Sequence, residues 1–355
     1  MPYGHVLDDK QLAPSPLPPP RGPLTEALFD VLERDPQRAR VIMPASQDAQ
    51  DDPLYGDDSA LALYCLYELH YRGFEAVDVE WEWHPHLLAW RAALERAVLQ
   101  RVRDEVGHLS AKPTIPDALH ELIADASGPS LSSFLLERGT ADQFREMAIH
   151  RSIYQLKEAD PHTWSIPRLS GHAKAAAVEI QADEYGDGQT RDMHQNLYGL
   201  TLTELGLDAG YNAYLPVTPG WTLASVNAVS MFGLHRRWLG AVIGHLAVFE
   251  MTSVEPMAAN AAALRKFGFG SDAQHFFAVH VVADAHHQHV AADALAKGLV
   301  DQRPELAHDV LFGGATVMAL ETEAARRMID AWQNRGSSLL TAPPLTERPE
   351  SPVLV

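Results

Sequence analysis

The strongest constraint on this 355-residue chain is the spacing of its apolar residues. Long stretches rich in Ala, Leu, Glu and Arg place apolar side chains three and four positions apart, which gathers them on one face of an α-helix. Alternating β-branched runs, the mark of half-buried strands, are nearly absent. The chain reads as all-α. The pattern predicts helices over 59–73, 86–106, 141–159, 171–184, 226–252, 273–298 and 304–335. Pro161 ends one of them, because it lacks an amide donor and disfavours helical geometry at Asp160; Gly186-Asp187-Gly188 should loosen another.

Composition narrows the class. With 46% hydrophobic residues the chain can bury a sizeable core. Lys and Arg number 28 against 47 Asp and Glu, so the formal charge is 28 − 47 = −19, a field that repels phosphate backbones and anionic lipid. No nucleic-acid partner is expected. The most apolar stretch, 238–249, contains His245 and is well short of the ~20 residues that cross a bilayer, so no membrane partner is expected either. Cys65 is the single cysteine, and the start MPYGHVLDDK lacks a basic-then-apolar signal, which together suggest a cytoplasmic protein. Seven prolines in 1–23 predict a disordered arm, and four more in 336–355 a flexible tail, leaving 24–335 as one helical domain. Neither a GxGxxG after a strand nor a GxxxxGK[ST] loop is present.

The sharpest chemical signal is His280-Val281-Val282-Ala283-Asp284-Ala285-His286-His287. At about 100° per residue, positions 280, 284 and 287 fall near 0°, 40° and −20°, so two imidazoles and a carboxylate share a narrow stripe. Apolar neighbours (Phe276, Phe277, Val279, Val281, Val282) point that stripe toward the core, where a transition metal would satisfy all three groups. A solvated histidine-rich face is the alternative. Metal sites in helical bundles collect ligands from facing helices, and the candidates are Glu158 before Asp160-Pro161, Glu184 in Glu179-Ile180-Gln181-Ala182-Asp183-Glu184-Tyr185, and His194 ten residues later. Three carboxylates and three imidazoles suit two ferrous ions with open positions for O2. Strict periodicity places Asp183 about 20° from His194 and Glu184 about 80° from it, so spacing alone favours Asp183 unless the glycine break resets the phase.

These strings, Leu156 to His162, Glu179 to Gly188 with Met193-His194, and the 280–287 motif, resemble the haem-oxygenase-like diiron oxidase/oxygenase superfamily of iron-containing redox enzymes. They look closest to its N-oxygenase domains that work beside a small cupin, for which the chain has no room. The resemblance covers about 55–335. It implies a haem-oxygenase-like helical bundle with additional amino-terminal helices, and a metal set of Glu158, Glu184, His194, His280, Asp284 and His287, which takes Glu184 over Asp183. It further implies two Fe(II) ions, O2 as co-substrate, an external electron donor, and N-oxygenation of an amine on an amino acid or similar small metabolite. Desaturation or C–C cleavage of an amino or fatty acid at the same site is the alternative outcome, and a metal-binding scaffold without turnover the alternative class. Oligomeric state is open, a homodimer included.

Other polar groups have plainer explanations. Glu68 and His70 read as helix-packing groups rather than an outer-shell pair, and His84-Pro85-His86 as a turn and cap rather than an H-x-H ligand pair. Glu146 and His150, one turn apart, read as a salt-bridged or solvated pair. His245 and Glu250 lie in an apolar helix, where an orienting or packing role is favoured over ligation. Lys157, Arg168 and His172 read as surface charge, with binding of a substrate carboxylate the less favoured use. Trp221, Phe232, Trp238, Phe249, Phe276 and Phe277 read mostly as core, some of them lining a substrate channel.

Overall fold

The computed structural model describes residues 13–44, 51–109 and 114–343. The helices run α1 (Pro23–Leu32), α2 (Asp57–Glu68), α3 (Pro85–Val106), α4 (Ile115–Ala124), α5 (Leu131–Arg138), α6 (Ala141–Gln155), the short α7 (Asp160–Thr163) and α8 (Gly171–Glu184). They continue as α9 (His194–Glu204), α10 (Gly220–Leu234), α11 (Leu239–Lys266), α12 (Ser271–His289), a π-helical segment (Val290–Ala296), α13 (Lys297–Gln302) and α14 (Ala307–Gln333). Among the described residues no strand forms; one isolated bridge joins Ser15 to Phe74. The all-α reading is borne out.

The bundle is organised around α11, which packs along α12 on one side and α14 on the other. Two glycines let α11 and α14 touch backbone to backbone. A Cβ on Gly244 would sit 1.8 Å from the Val310 carbonyl oxygen, and one on Gly313 would sit 1.9 Å from that of Ala241. No side chain fits at either crossing. This contact fixes the height of α11, and six residues beyond Gly244 the helix presents Glu250 to the interior. Other helix starts follow local chemistry: Thr140 accepts the Gln143 amide while Gln143 answers the Thr140 amide, so α6 begins in a reciprocal cap.

The expected continuous helix over 226–252 is two helices. His235 is extended and a turn at Arg236–Trp238 separates α10 from α11. The cause lies far away in sequence. The Arg168 guanidinium donates to the carbonyls of Gly233 and Leu234, closing the end of α10, while the Gly233 position lies against the Pro161 carbonyl. Arg168 is therefore a helix cap and not loose surface charge. Four further helices, α1, α4, α5 and α9, lie outside the expected spans; each is short, 8 to 11 residues.

Residues 1–12 of the expected arm and 344–355 of the expected tail lie outside the described residues. What is described of both segments is tied down. The Glu75 amide donates to the Ser15 carbonyl and Arg21 Nη2 donates to the Leu215 carbonyl. At the other end Leu339 is buried and the Leu340 amide donates to the Val217 carbonyl. Proline-rich chain lacks regular structure of its own but can still be held by such isolated bonds. No helix of the described residues is long and apolar enough to cross a membrane.

Candidate metal centre

Four helices and one turn converge on a buried set of donors. Glu158 sits in the turn after α6, where Ala159 takes a left-handed backbone (φ 71°) before Asp160-Pro161 starts α7. Glu184 is the last residue of α8. The chain then reverses through Gly186–Gly188 and Thr190–Asp192, and His194 opens α9. Gly186 and Asp187 both have positive φ, and a Cβ on Gly186 would lie 2.6 Å from the backbone of Asp192 and Met193. This tight return resets the helical phase, so Glu184 rather than Asp183 meets His194: His194 Nδ1 lies 2.8 Å from Glu184 Oε2.

Two donor groups result, and Glu184 belongs to both. In the first, ligand atoms of Glu158, Glu184, His194 and His280 all lie within 4.8 Å of one another; in the second, Glu184, Glu250 and His287 do. Asp284 borders the second group, with Oδ1 3.7 Å from His287 Nδ1. All six residues expected from the sequence are thus brought together, and Glu250 from α11 joins them: its Oε2 lies 3.5 Å from His287 Nδ1. Every one of the seven side chains is buried.

Neighbouring groups fix which atoms are offered. His280 Nδ1 donates to the Phe276 carbonyl at 2.8 Å, which leaves Nε2 as the lone-pair nitrogen facing Glu158. The Ser253 hydroxyl donates to Asp284 Oδ2, leaving Oδ1 to face His287. Asp183, displaced from the inner set, lies with Oδ2 3.6 Å from His287 Nε2 on the outer side. Phe276 packs against His280 and Tyr198, and Phe249 against Tyr154, so aromatic rings shield the centre.

The donor set fits a pair of divalent ions. Glu158 Oε2, His280 Nε2, Asp284 Oδ1 and His287 Nδ1 are buried with no hydrogen-bond partner among the described residues. Buried polar atoms are seldom left unsatisfied, and four clustered lone-pair donors call for a cation. Four carboxylates supply a formal charge of −4 against +4 on two ferrous ions, and the carboxylate–imidazole mixture suits iron. The protein groups alone are electrostatically crowded. Burial lifts Glu184 to about 7, with His280 opposing, and lifts Glu250 to about 8. Burial works to lower His280, yet Glu158 and the other carboxylates outweigh it and carry it to about 10. Burial, with His280 adding to it, depresses His194 to about 4. Cations in the centre would relieve this crowding by displacing protons.

Residues 145–322, half of the chain, match the iron-containing redox enzyme family, and the chain belongs to it. That membership makes it an oxidoreductase with a haem-oxygenase-like fold. One curated relative is nitrosourea synthase of Streptomyces achromogenes subsp. streptozoticus, 28% identical over 223 residues covering 59% of this chain and 46% of that protein. The chain spans less than half the length of that relative.

The remaining flagged groups sort into structural roles. Lys157 is wholly buried, not at the surface: its Nζ lies 2.9 Å from Glu68 Oε2 among the rings of Tyr64, Tyr71 and Tyr211. His84 is the residue before α3, and Pro85 its first turn, as a cap should be. His172 is exposed. His245 is paired with His162, Nδ1 to Nε2 at 3.1 Å.

Glu146 and His150 converge on Ser338, which docks the segment after α14. Ser338 donates to Glu146, and His150 contacts Ser338 Oγ at 3.0 Å and Thr222 Oγ1 at 2.7 Å. Burial, helped by neighbouring Arg151, depresses the His150 imidazole to about 3. The unfolded chain, with its histidine near 6.5, takes the proton first, so this site loses stability as pH falls from about 6.5 toward 3. His150→Asn should remove that dependence. Measured by urea denaturation, the variant's loss of stability between pH 7 and pH 5 should be smaller than the parent's by roughly 2 kcal/mol; parallel profiles would refute the buried neutral histidine.

Proposed function

We propose that the chain is a non-haem diiron oxygenase that uses O2 and an external electron donor to N-oxygenate the amine of an amino acid or similar small metabolite. The observation that carries this reading is the pair of donor groups sharing Glu184. His194, His280 and Glu158 would hold one ion, Glu250, Asp284 and His287 the other, and Glu184 would touch both. Iron bound there supplies the capacity to reduce O2 and deliver oxygen to the substrate nitrogen.

The chain's own residues do the rest. The Phe276 carbonyl holds the His280 ring in the tautomer that presents Nε2, and Ser253 turns Asp284 Oδ1 inward. Phe249, Phe276 and Tyr154 keep bulk water from the carboxylates, which strengthens every charge interaction among them. A substrate amine must arrive with its lone pair free, and a dry, carboxylate-rich setting would otherwise favour the ammonium form. Tight positioning must therefore accompany loss of the proton. The distant relative named for nitrosourea synthesis points in the same direction, toward nitrogen chemistry.

Anaerobic addition of ferrous salt, followed by metal analysis and an oxygen electrode, tests the reading. About two ions per chain, substrate-dependent O2 uptake across a panel of amines, and ¹⁸O retained on nitrogen are expected. An alkene or a carbon-shortened product would replace N-oxygenation by desaturation or C–C cleavage. Absence of O2 uptake across broad amine and acid panels by iron-loaded protein would leave a metal-binding scaffold.

A further inference from the structure

Helical spacing favours Asp183, yet the two donor groups take Glu184 from the end of α8 and leave its neighbour at their edge. α8 packs along the π-helical segment that follows α12, which brings Asp183 beside His287. Its Oδ2 lies 3.6 Å from His287 Nε2. That oxygen is buried with no hydrogen-bond partner among the described residues, although the side chain as a whole is 39% exposed. One edge of the carboxylate faces the ring and the rest faces solvent.

His287 turns its other nitrogen to the centre. Nδ1 is buried and unpartnered, 3.5 Å from Glu250 Oε2 and 3.7 Å from Asp284 Oδ1. The two nitrogens of an imidazole point away from opposite sides of the ring, so Asp183, facing Nε2, cannot reach a cation held at Nδ1. An imidazole that gives Nδ1 to a cation keeps its proton on Nε2 and needs an acceptor there. His280 is the reverse case, with the proton on Nδ1 and the Phe276 carbonyl accepting it. For His287 the acceptor facing Nε2 is a carboxylate, which makes the far nitrogen a stronger donor and stops the ring from turning. A second carboxylate–imidazole pair joins the same two helices one turn away: His286 Nε2 lies 3.0 Å from Glu179 Oε1, both side chains exposed. Neither of those residues belongs to a donor group, so that pair ties the helices without touching the centre.

We propose that Asp183 is a positioning residue for the second ion: its carboxylate accepts the Nε2 proton of His287 and so holds Nδ1 toward Glu250 and Asp284. This rests on the two-ion reading given above. It assigns Asp183 to one group only, since the first group, of Glu158, Glu184, His194 and His280, does not contain His287. The second ion should therefore depend on Asp183 and the first should not.

Anaerobic calorimetric titration of the full-length protein with Co²⁺ alone resolves the two binding steps and needs no turnover. Asp183→Ala should weaken the second step by about 10–100-fold, the usual cost of losing a carboxylate behind a ligating histidine, and leave the first unchanged. Asp183→Asn, which keeps an acceptor oxygen without the charge, should fall between Asp183→Ala and the parent, and Asp183→Glu should recover most of the loss. Glu179→Gln, which removes only the outer pair, should change neither step. Melting of each metal-free variant should match the parent, because the proposed role is exerted on the ion and not on the packing of α8 against its neighbours. A second step unaffected by Asp183→Ala in a parent that takes up about two ions overturns the proposal and leaves the diiron reading standing. Equal weakening of both steps together with a lower melting temperature also overturns it, reducing Asp183 to a tie between helices. A parent that binds one Co²⁺ or none sinks the two-ion reading itself, and this role of Asp183 with it.

Discussion

Glu184→Ala should give a folded, helical protein that retains less than one iron per chain and whose substrate-dependent O2 consumption falls by about a thousandfold or more, roughly 4 kcal/mol of transition-state stabilisation. Glu184 is the one side chain common to both donor groups, so its loss opens both together. Removing Glu158 strikes the first group alone and removing Glu250 the second, so each should leave about one ion bound. The variant should fold because the alanine relieves crowding: burial lifts the Glu184 carboxyl to about 7 among the protein groups alone, so the side chain opposes the fold at neutral pH rather than supporting it. Sign and size can be checked together. Circular dichroism and a melting curve should be unchanged or slightly improved without iron, while metal analysis and the oxygen electrode report the loss. Glu179→Ala, an exposed position on the same helix, should change neither. Two ions retained by Glu184→Ala would dissolve the idea of a shared carboxylate.

Much of this arrangement was legible in the sequence, for identifiable reasons. The stripe of His280, Asp284 and His287 lies on one helix, so periodicity alone places the three together. Glu184 and His194 were harder. Their angular mismatch on an ideal helix is real, and it vanishes only because two short turns intervene, with positive φ at Gly186, Asp187 and Gly188. Glu250 illustrates the limit. A glutamate in an apolar helix announces that it is buried and paired, but its partners, Glu184 and His287, come from α8 and α12, and no spacing within α11 names them. The break after α10 escaped detection for the same reason: its cap, Arg168, lies some 65 positions upstream. Local pattern reveals the period of a helix and the face it buries; what meets that face is decided by the packing of the whole bundle.

Lys157 shows the same limit most sharply, and its removal should be the costliest single change outside the donor set. A lysine beside an Asp-Pro turn reads as solvated, yet its ammonium lies 2.9 Å from Glu68 Oε2, 3.1 Å from the Tyr64 hydroxyl, and 4.4 and 4.6 Å from the ring centroids of Tyr64 and Tyr71. Tyr211 donates its hydroxyl to the same carboxylate. The charge is thus compensated on several sides by residues from α2 and from the 211 region, and it pins the turn that carries Glu158. Lys157→Met keeps most of the volume and removes the charge, leaving Glu68 wholly buried without its cation. Breaking a buried pair in this way costs about 3–5 kcal/mol, and urea denaturation should show a loss of that size. Lys157→Met combined with Glu68→Gln should recover a large part of it, since no uncompensated charge then remains. The double variant should still hold iron less firmly in the group containing Glu158, because the left-handed turn at Ala159 has lost its anchor. Additive destabilisation in the double variant would mean that the two side chains do not act as a pair.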